Sequence, residues 1–192
     1  MTTVDRPANR PANRPAQRPA KRARTAKPRR PWAKPGDDRV VIIDIDGVLA
    51  DLSAYESLLD VDERPAEQRW EEFFAHIPDA AVIETGYDLA WAIDGLGYTI
   101  VYSTTRPRYT RDPSGLWLTT KDFPPGKAMF TRPKTPAGRH PQPAWQTKLS
   151  HARAVTHQHR AWLRAFIDDE SAMLAKLTAV EIPAVGGTPS RV

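Results

Sequence analysis

The sequence contains no cysteine among its 192 residues. Disulfide bonds and cysteine-ligated zinc are therefore excluded, and a reducing, cytoplasmic environment is expected. No apolar run approaches the roughly 20 residues that cross a bilayer, and the basic N-terminus lacks the apolar segment of a secretory signal. We therefore expect no membrane partner.

Positive charge is concentrated at one end of the chain. The net charge is +5, but residues 1–36 hold eleven Lys or Arg and a single acid, whereas residues 37–192 carry more acids than bases. Segment 1–36 also repeats a four-residue unit that starts Arg-Pro-Ala. Proline at every fourth position blocks helix and sheet, and few apolar side chains are available to offset the entropy of ordering. We predict a disordered basic tail over 1–36 and a folded domain over 37–192.

The tail suggests a nucleic-acid partner. Its arginines and lysines would be attracted to phosphates without sequence preference. A tail that only improves solubility or serves targeting is the alternative, because basic tails have many uses.

Residues 37–192 alternate apolar runs with helical patterns, which predicts an α/β fold: a three-layer, Rossmann-like parallel sheet with helices on both faces. A small helical cap is expected from an insertion at about 51–84. The predicted strands cover 39–45, 98–103, 127–131, 165–168 and 180–185. The predicted helices cover 65–77, 86–96, 112–121, 143–163 and 170–177.

The first strand ends in two carboxylates. Val40 to Ile43 form an unbroken apolar run, typical of a strand buried on both faces, and Asp44 and Asp46 follow it. Two acids at the end of a buried strand are costly unless a cation meets them. The pattern therefore favours a Mg²⁺ site, and a solvated pair of loop aspartates is the alternative.

Other chemical groups are expected at the same edge, because ligands of such sheets bind beyond the carboxyl ends of the strands. The second core strand leads to Thr104 and Arg106, the fourth to Asp168 and Asp169, and the helix before the fourth carries Lys148. Each alone could be an ordinary turn, strand end or surface residue. Their order and placement together are more specific.

With these motifs the chain resembles the haloacid dehalogenase-like (HAD) hydrolase superfamily. The resemblance rests on four stretches: Asp44-Ile45-Asp46-Gly47-Val48-Leu49-Ala50-Asp51, Thr104-Thr105-Arg106-Pro107, Lys148, and Ile167-Asp168-Asp169. Within the superfamily the sequence is most similar to the 3′-phosphatase domains of phage polynucleotide kinase–phosphatases. The chain has no GxxxxGK[ST] loop, so a kinase half is not expected. Ala144 stands where relatives often carry an acid, one helical turn before the lysine.

The resemblance implies a Mg²⁺-dependent phosphatase. Asp44 would be the nucleophile, and Asp46 would be the general acid and base. Thr104 and the Thr105 N–H would bind phosphoryl oxygens. The other roles implied are charge neutralisation by Lys148, a phosphate clamp by Arg106, and a metal shell from Asp44, the Asp46 carbonyl, Asp169 and Asp168.

For the substrate we expect phosphate on nucleic-acid ends, preferably 3′, or on nucleotides. A small-molecule HAD phosphatase such as a 5′-nucleotidase is one alternative, and a nucleic-acid-binding protein with a vestigial core is another. A basic, aromatic approach to the site is predicted from Arg108, Tyr109, Arg111, Trp117, Arg132, Arg139 and Trp145. The spacing of Trp117 favours a core position over this role. The histidines at 140, 151, 157 and 159 do not have zinc-ligand spacing.

Overall fold

A computed structural model describes residues 39–60, 63–135 and 140–187. The tail predicted over 1–36 lies outside these ranges, so its disorder stays a prediction. Within them, no helix combines the length and the apolar character that spanning a bilayer requires.

The core of the fold is a five-stranded sheet of order β5-β4-β1-β6-β7, in which all neighbouring strands are parallel. A separate antiparallel pair joins β2 and β3. In chain order the strands are β1 (Arg39–Asp44), β2 (Ala50–Asp51), β3 (Ala81–Val82), β4 (Thr99–Pro107), β5 (Ala128–Arg132), β6 (Trp162–Asp168) and β7 (Ala184–Gly186).

Within the described ranges, five α-helices accompany the sheet. They are α1 (Ala66–Ala75), α2 (Glu84–Gly95), α3 (Arg111–Thr120), α4 (Ala144–Arg153) and α5 (Ser171–Thr178). Short 3₁₀ segments cover Ser53–Leu59, Ile77–Asp79 and Arg108–Thr110, and a π-helical turn, Ala154–Gln158, extends α4. The predicted α/β class is confirmed.

The side chains of β1 alternate between two cores. Val41 and Ile43 belong to a cluster with residues of α2 and α3, while Val40 and Ile42 belong to one with residues of α4 and α5. Successive strand residues point to opposite faces, so both faces of the sheet are covered, as the continuous apolar run predicted. Asp44 continues the face of Val40 and Ile42, which is the face that α4 covers.

The insertion at 51–84 forms a small layer over the edge of the sheet where β1 ends. We call it the cap; it holds β2, the 3₁₀ segment Ser53–Leu59, α1, a second 3₁₀ turn and β3. As predicted, α1 follows Pro65 directly and carries Trp70, Phe73 and Phe74. Its buried Phe73 joins the same core as Ile43.

Three predicted elements differ from the structure. The strand predicted over 180–185 is reduced to β7, Ala184–Gly186, because the chain is still turning at Glu181, which has a left-handed φ of 62°. The helix predicted over 143–163 ends with the π-helical turn at Gln158, and residue 163 lies inside β6 instead. Arg160 adopts a left-handed φ of 50°, which interrupts the helix before the strand. β4 runs on to Pro107, so Thr104 and Arg106 lie within the strand and not after it.

Gly86 gives a test of how closely α2 packs on the chain after β1. A Cβ at Gly86 would lie 1.8 Å from the Val48 carbonyl oxygen, whereas one at Gly115 in α3 would meet only the end of Met129 at 4.0 Å. Gly86→Ala should lower the free energy of unfolding by about 1–3 kcal/mol through overpacking. Gly115→Ala should raise it by about 0.5–1 kcal/mol through helix propensity. Urea unfolding measures both; equal effects of the two substitutions would contradict the close approach at Gly86.

Candidate active site

The predicted residues meet in a cleft of about 460 Å³ at the carboxyl ends of the central strands. Asp44 ends β1, Arg106 is near the end of β4, and Asp168 ends β6. Lys148 reaches the cleft from α4. The structure thus brings together groups from four separate stretches of the chain, because parallel strands end at one edge of the sheet.

Lys148 lies between two carboxylates. Its ammonium pairs with Asp44 Oδ1 and lies 3.2 Å from Asp168 Oδ2. All three residues are buried, with Lys148 only 2% exposed. Asp168 is also fixed through its other oxygen, which accepts a hydrogen bond of 3.1 Å from the Glu170 backbone N–H.

Asp46 pairs with a different cation. Arg106 donates from Nη2 to Asp46 Oδ1 at 2.6 Å and from Nε to both carboxylate oxygens at 3.0 Å. The Thr104 hydroxyl donates to Asp46 Oδ2 at 3.2 Å. Arg106 is almost fully buried and also donates to the Ser114 hydroxyl at 2.8 Å. The buried guanidinium therefore fixes the position of the Asp46 carboxylate.

Burial changes the titration of the buried groups around Lys148. Burial raises the pKa of Asp44; the charges of Asp168 and Asp46 add to this, and Lys148 opposes it. Burial also raises the pKa of Asp169. For Lys148 burial acts to lower the pKa, but Asp44 and Asp168 outweigh it and the pKa is raised. The single buried ammonium of Lys148 thus faces more than one carboxylate, so the group as a whole has an excess of negative charge.

The acids of the cleft fit a hard divalent cation. Asp44, Asp168 and Asp169 each offer an oxygen, and the three oxygens lie within 4.8 Å of one another. Carboxylate oxygens are the ligands that Mg²⁺ prefers. The lining holds seven carboxylates but, among the described residues, only the two cations Arg106 and Lys148. The Asp46 carboxylate lies outside the three-acid cluster, so a metal contact through its carbonyl stays a prediction.

Gly47 and Asp169 are in close contact. Gly47 has a φ of +75°, and a Cβ there would lie 2.1 Å from Asp169 Oδ2. Only glycine combines this backbone conformation with space for the carboxylate. The turn after β1 therefore depends on Gly47 to admit Asp169 beside Asp44.

His151 is a buried residue near the site for which the sequence suggested no role. It lies one turn after Lys148 on α4; its Nε2 is 3.2 Å from the Thr131 carbonyl and its Nδ1 is 2.9 Å from the Ser103 hydroxyl. A carbonyl only accepts, so Nε2 carries the proton and Nδ1 accepts from Ser103. Burial lowers the pKa of His151 to about 4. This neutral ring ties α4 to β4 and β5, next to Lys148 and Thr104.

Other residues that the sequence did not single out are Ser114 and two aromatic residues of the cap. Ser114 follows Pro113 in the first turn of α3, eight residues after Arg106, and no local sequence pattern links it to that arginine. Trp70 and Phe74 fit the apolar face of α1, but both also line the cleft.

The predicted basic approach does not form the described cleft wall. Trp117 is core, 2% exposed, and its Nε1 donates to the Ala80 carbonyl at 3.0 Å. Arg132 donates to the carbonyls of Thr105 and Gln142, and Trp145 packs on the core beneath α4. Arg108, Tyr109 and Arg111 are exposed outside the described lining. The cap occupies this position instead; Arg139 lies outside the described residues.

The histidines form no metal cluster among the described residues; the three-acid group is the one candidate there. His151 is occupied by hydrogen bonds inside the core.

Among known proteins, the chain is similar to solved structures. No protein-family model matches the chain, and no curated protein matches it. A chain of the Pnkp1/Rnl/Hen1 RNA repair complex is similar with a TM-score of 0.56 and 15% identity, over 78% of this chain and 42% of that one. The chain thus spans less than half of that protein's length.

Two further structures are similar over most of both chains. CbbY from Rhodobacter sphaeroides, solved in complex with phosphate, matches with a TM-score of 0.51 and 12% identity over 80% of this chain and 87% of its own. A predicted phosphatase from Clostridium acetobutylicum matches with a TM-score of 0.52 and 13% identity over 78% and 84%. The chain has a HAD-like fold. At these identities the likeness establishes the fold alone.

Because His151 is neutral in the fold, we predict that the free energy of unfolding decreases in acid. Between its lowered pKa and the ordinary value near 6.5, the unfolded chain binds a proton at this histidine that the folded chain does not, so stability falls as pH falls. Between about pH 7 and pH 4.5 this should contribute a loss of roughly 2–3 kcal/mol.

Urea unfolding at both pH values of wild type and His151→Asn measures this loss. Asparagine keeps an acceptor for Ser103 but does not titrate, so the variant should lose less stability on acidification. His157→Asn, at an exposed histidine, is the control and should follow wild type. Parallel pH slopes for wild type and His151→Asn would contradict the assignment.

Proposed function

We propose that the chain is a Mg²⁺-dependent phosphomonoesterase that works through an aspartyl-phosphate on Asp44. The observation that carries this is the position of Asp44: it is buried at the end of the central strand, paired with Lys148 and clustered with Asp168 and Asp169. A carboxylate held in this way can act as a nucleophile toward phosphorus.

In the first step an Asp44 oxygen attacks phosphorus while the bond to the leaving alcohol breaks. Asp46, in its protonated form, gives its proton to the leaving oxygen. Lys148 offsets the negative charge shared by Asp44 and the incoming phosphate as a point charge. The alcohol leaves, and the phosphoryl group stays on Asp44.

In the second step Asp46, now ionised, takes a proton from a water molecule. The water oxygen attacks phosphorus, the bond from Asp44 to phosphorus breaks, and inorganic phosphate and free Asp44 are restored. Asp46 needs a fixed direction for both transfers, and the bonds from Arg106 and Thr104 supply it. The backbone N–H of Thr105, a residue that lines the cleft, would donate to phosphoryl oxygens. The phosphate clamp predicted for Arg106 remains part of the proposal, whereas the single hydroxyl proton of Thr104 goes to Asp46 in this arrangement.

Mg²⁺ would be held by Asp44 and Asp169, with Asp168 beside them. Bound there, it would offset the repulsion between a carboxylate nucleophile and a dianionic phosphate. Asp169 is the most accessible member of the cluster, while both Asp168 oxygens already have partners.

For the substrate we favour phosphate on nucleic-acid ends or nucleotides, preferably 3′. The basic segment 1–36 supports attraction to a polyanion, and one similar structure is an RNA repair complex. A small-molecule phosphatase is the second candidate, because the described cleft wall is not basic. The complete set of acids with Lys148 argues against a vestigial core, since crowded buried carboxylates are costly to keep.

Replacing the nucleophile tests the proposed chemistry. Asp44→Asn should reduce hydrolysis of p-nitrophenyl phosphate by roughly a thousandfold or more, because the amide cannot form the phosphoryl ester. Thermal melting should stay unchanged or rise, because burial already disfavours the ionised carboxylate. Asp88→Asn, at an exposed acid on α2, should keep full activity. Retention of more than about a tenth of the rate would exclude Asp44 as nucleophile.

The contact between Gly47 and Asp169 gives a test of the metal site. Gly47→Ala and Gly97→Ala both place alanine at a positive φ, which costs about 1–2 kcal/mol. At Gly97, however, a Cβ meets nothing within 4 Å. Gly47→Ala should therefore displace Asp169 and lose both activity and the thermal stabilisation that added Mg²⁺ gives.

Gly97→Ala is the matched control and should keep both properties despite a similar loss of stability. Melting curves with and without Mg²⁺ measure the effect. An undiminished Mg²⁺ shift in Gly47→Ala would show that Asp169 does not hold the ion.

A further inference from the structure

The cleft has one apolar wall, and the cap provides most of it. Leu52, Leu59, Trp70, Phe73 and Phe74 line this side, opposite the strand ends that carry the carboxylates. Trp70 is 45% exposed, so a large aromatic surface faces solvent beside the proposed reacting centre. Apolar surface kept open at the mouth of a polar cleft is typical of a ligand-binding surface.

The three aromatic residues Trp70, Phe73 and Phe74, here called the aromatic wall, are held in fixed orientations. The Trp70 and Phe74 rings stack with centroids 5.4 Å apart and 25° between their planes. The buried Phe73 meets both rings edge-on, at 5.6 and 5.3 Å. The wall is therefore rigid and presents a flat face, which suits a planar ring more than a flexible chain.

The surroundings of the wall are acidic. The sequence from 51 to 84 holds ten Asp or Glu and two Arg, and Asp51 and Glu56 line the cleft itself. The Tyr109 ring meets Phe74 edge-on at 6.5 Å. The pKa of Tyr109 is raised by burial and then by the negative charges of Glu71 and Glu67, which is consistent with acidic surroundings. A phosphate held against this wall would be repelled, whereas an uncharged ring would not.

We infer that Trp70, supported from its other side by Phe74, stacks on the base of a nucleoside leaving group, so that the favoured substrate is a nucleoside monophosphate or a terminal nucleotide whose further phosphates lead away from the cap. This inference rests on the proposed phosphatase function. The phosphate would lie at Asp44 and the base at the aromatic wall, and both line the same cleft.

The test compares substrates with and without a base. Adenosine 5′-monophosphate, adenosine 3′-monophosphate and ribose 5-phosphate carry the same reacting group. In wild type, kcat/KM should be higher for a nucleotide than for ribose 5-phosphate. Trp70→Ala should reduce this preference by about 10- to 100-fold, mainly through KM, because stacking of a base is worth about 1–3 kcal/mol. Trp70→Phe should restore most of it.

Trp162→Ala is the control, since Trp162 is also exposed, at 59% against 45% for Trp70, but lies at the start of β6, the end remote from the cleft. It should leave the preference intact. A wild type that hydrolyses ribose 5-phosphate as well as the nucleotides, or a Trp70→Ala variant with unchanged preference, would overturn the inference while the phosphatase function stands.

Calorimetric binding to Asp44→Asn separates the two failures. If wild type hydrolyses nothing but this variant binds adenosine monophosphate and loses the binding with Trp70→Ala, the phosphatase function falls and the stacking surface stands. If neither binding nor preference depends on Trp70, the stacking surface falls.

Discussion

The ammonium of Lys148 lies buried between the carboxylates of Asp44 and Asp168, and the candidate site is organised around this contact. It joins the ends of β1 and β6 to α4, which are distant in the chain. Removing Lys148 would leave both buried carboxylates without their cation, a change that typically costs about 3–5 kcal/mol, whereas without Asp44 the lysine would still have Asp168 as a partner. The same contact leaves the cluster with more negative than positive charge, which makes it receptive to a divalent cation.

A second ion pair, between Arg106 and Asp46, makes the surroundings of the two aspartates different. Asp46 is held by Arg106 and Thr104, whereas Asp44 is held by Lys148. Two aspartates separated by one residue thus have different partners and different exposure. In the proposed mechanism this separation would let Asp44 attack phosphorus while Asp46 carries a proton, a pairing of roles that two identical environments would not support.

The cap adds what the strand ends lack. The carboxylates and cations of the sheet edge provide for a phosphate, but they do not distinguish one leaving group from another. The aromatic wall on α1 and the acids around it place a different chemistry a short distance away. In the proposed function, the sheet would carry the reaction and the insertion would select the substrate.

Much of this follows from the printed sequence. The apolar run before Asp44, the acids at 168 and 169 and the lysine at 148 were enough to predict the sheet, the edge at which the groups meet and the metal-binding chemistry, because strand ends in a parallel sheet converge. Helix and strand limits were less certain: Leu163 fits a helical pattern as well as a strand, and only its place beside β1 decides between them. The tertiary structure alone determined the partners of each charge, the neutral state of His151, and the exchange of a basic approach for an aromatic, acidic cap. Those features depend on distances between residues far apart in the chain, and local sequence patterns do not specify such distances.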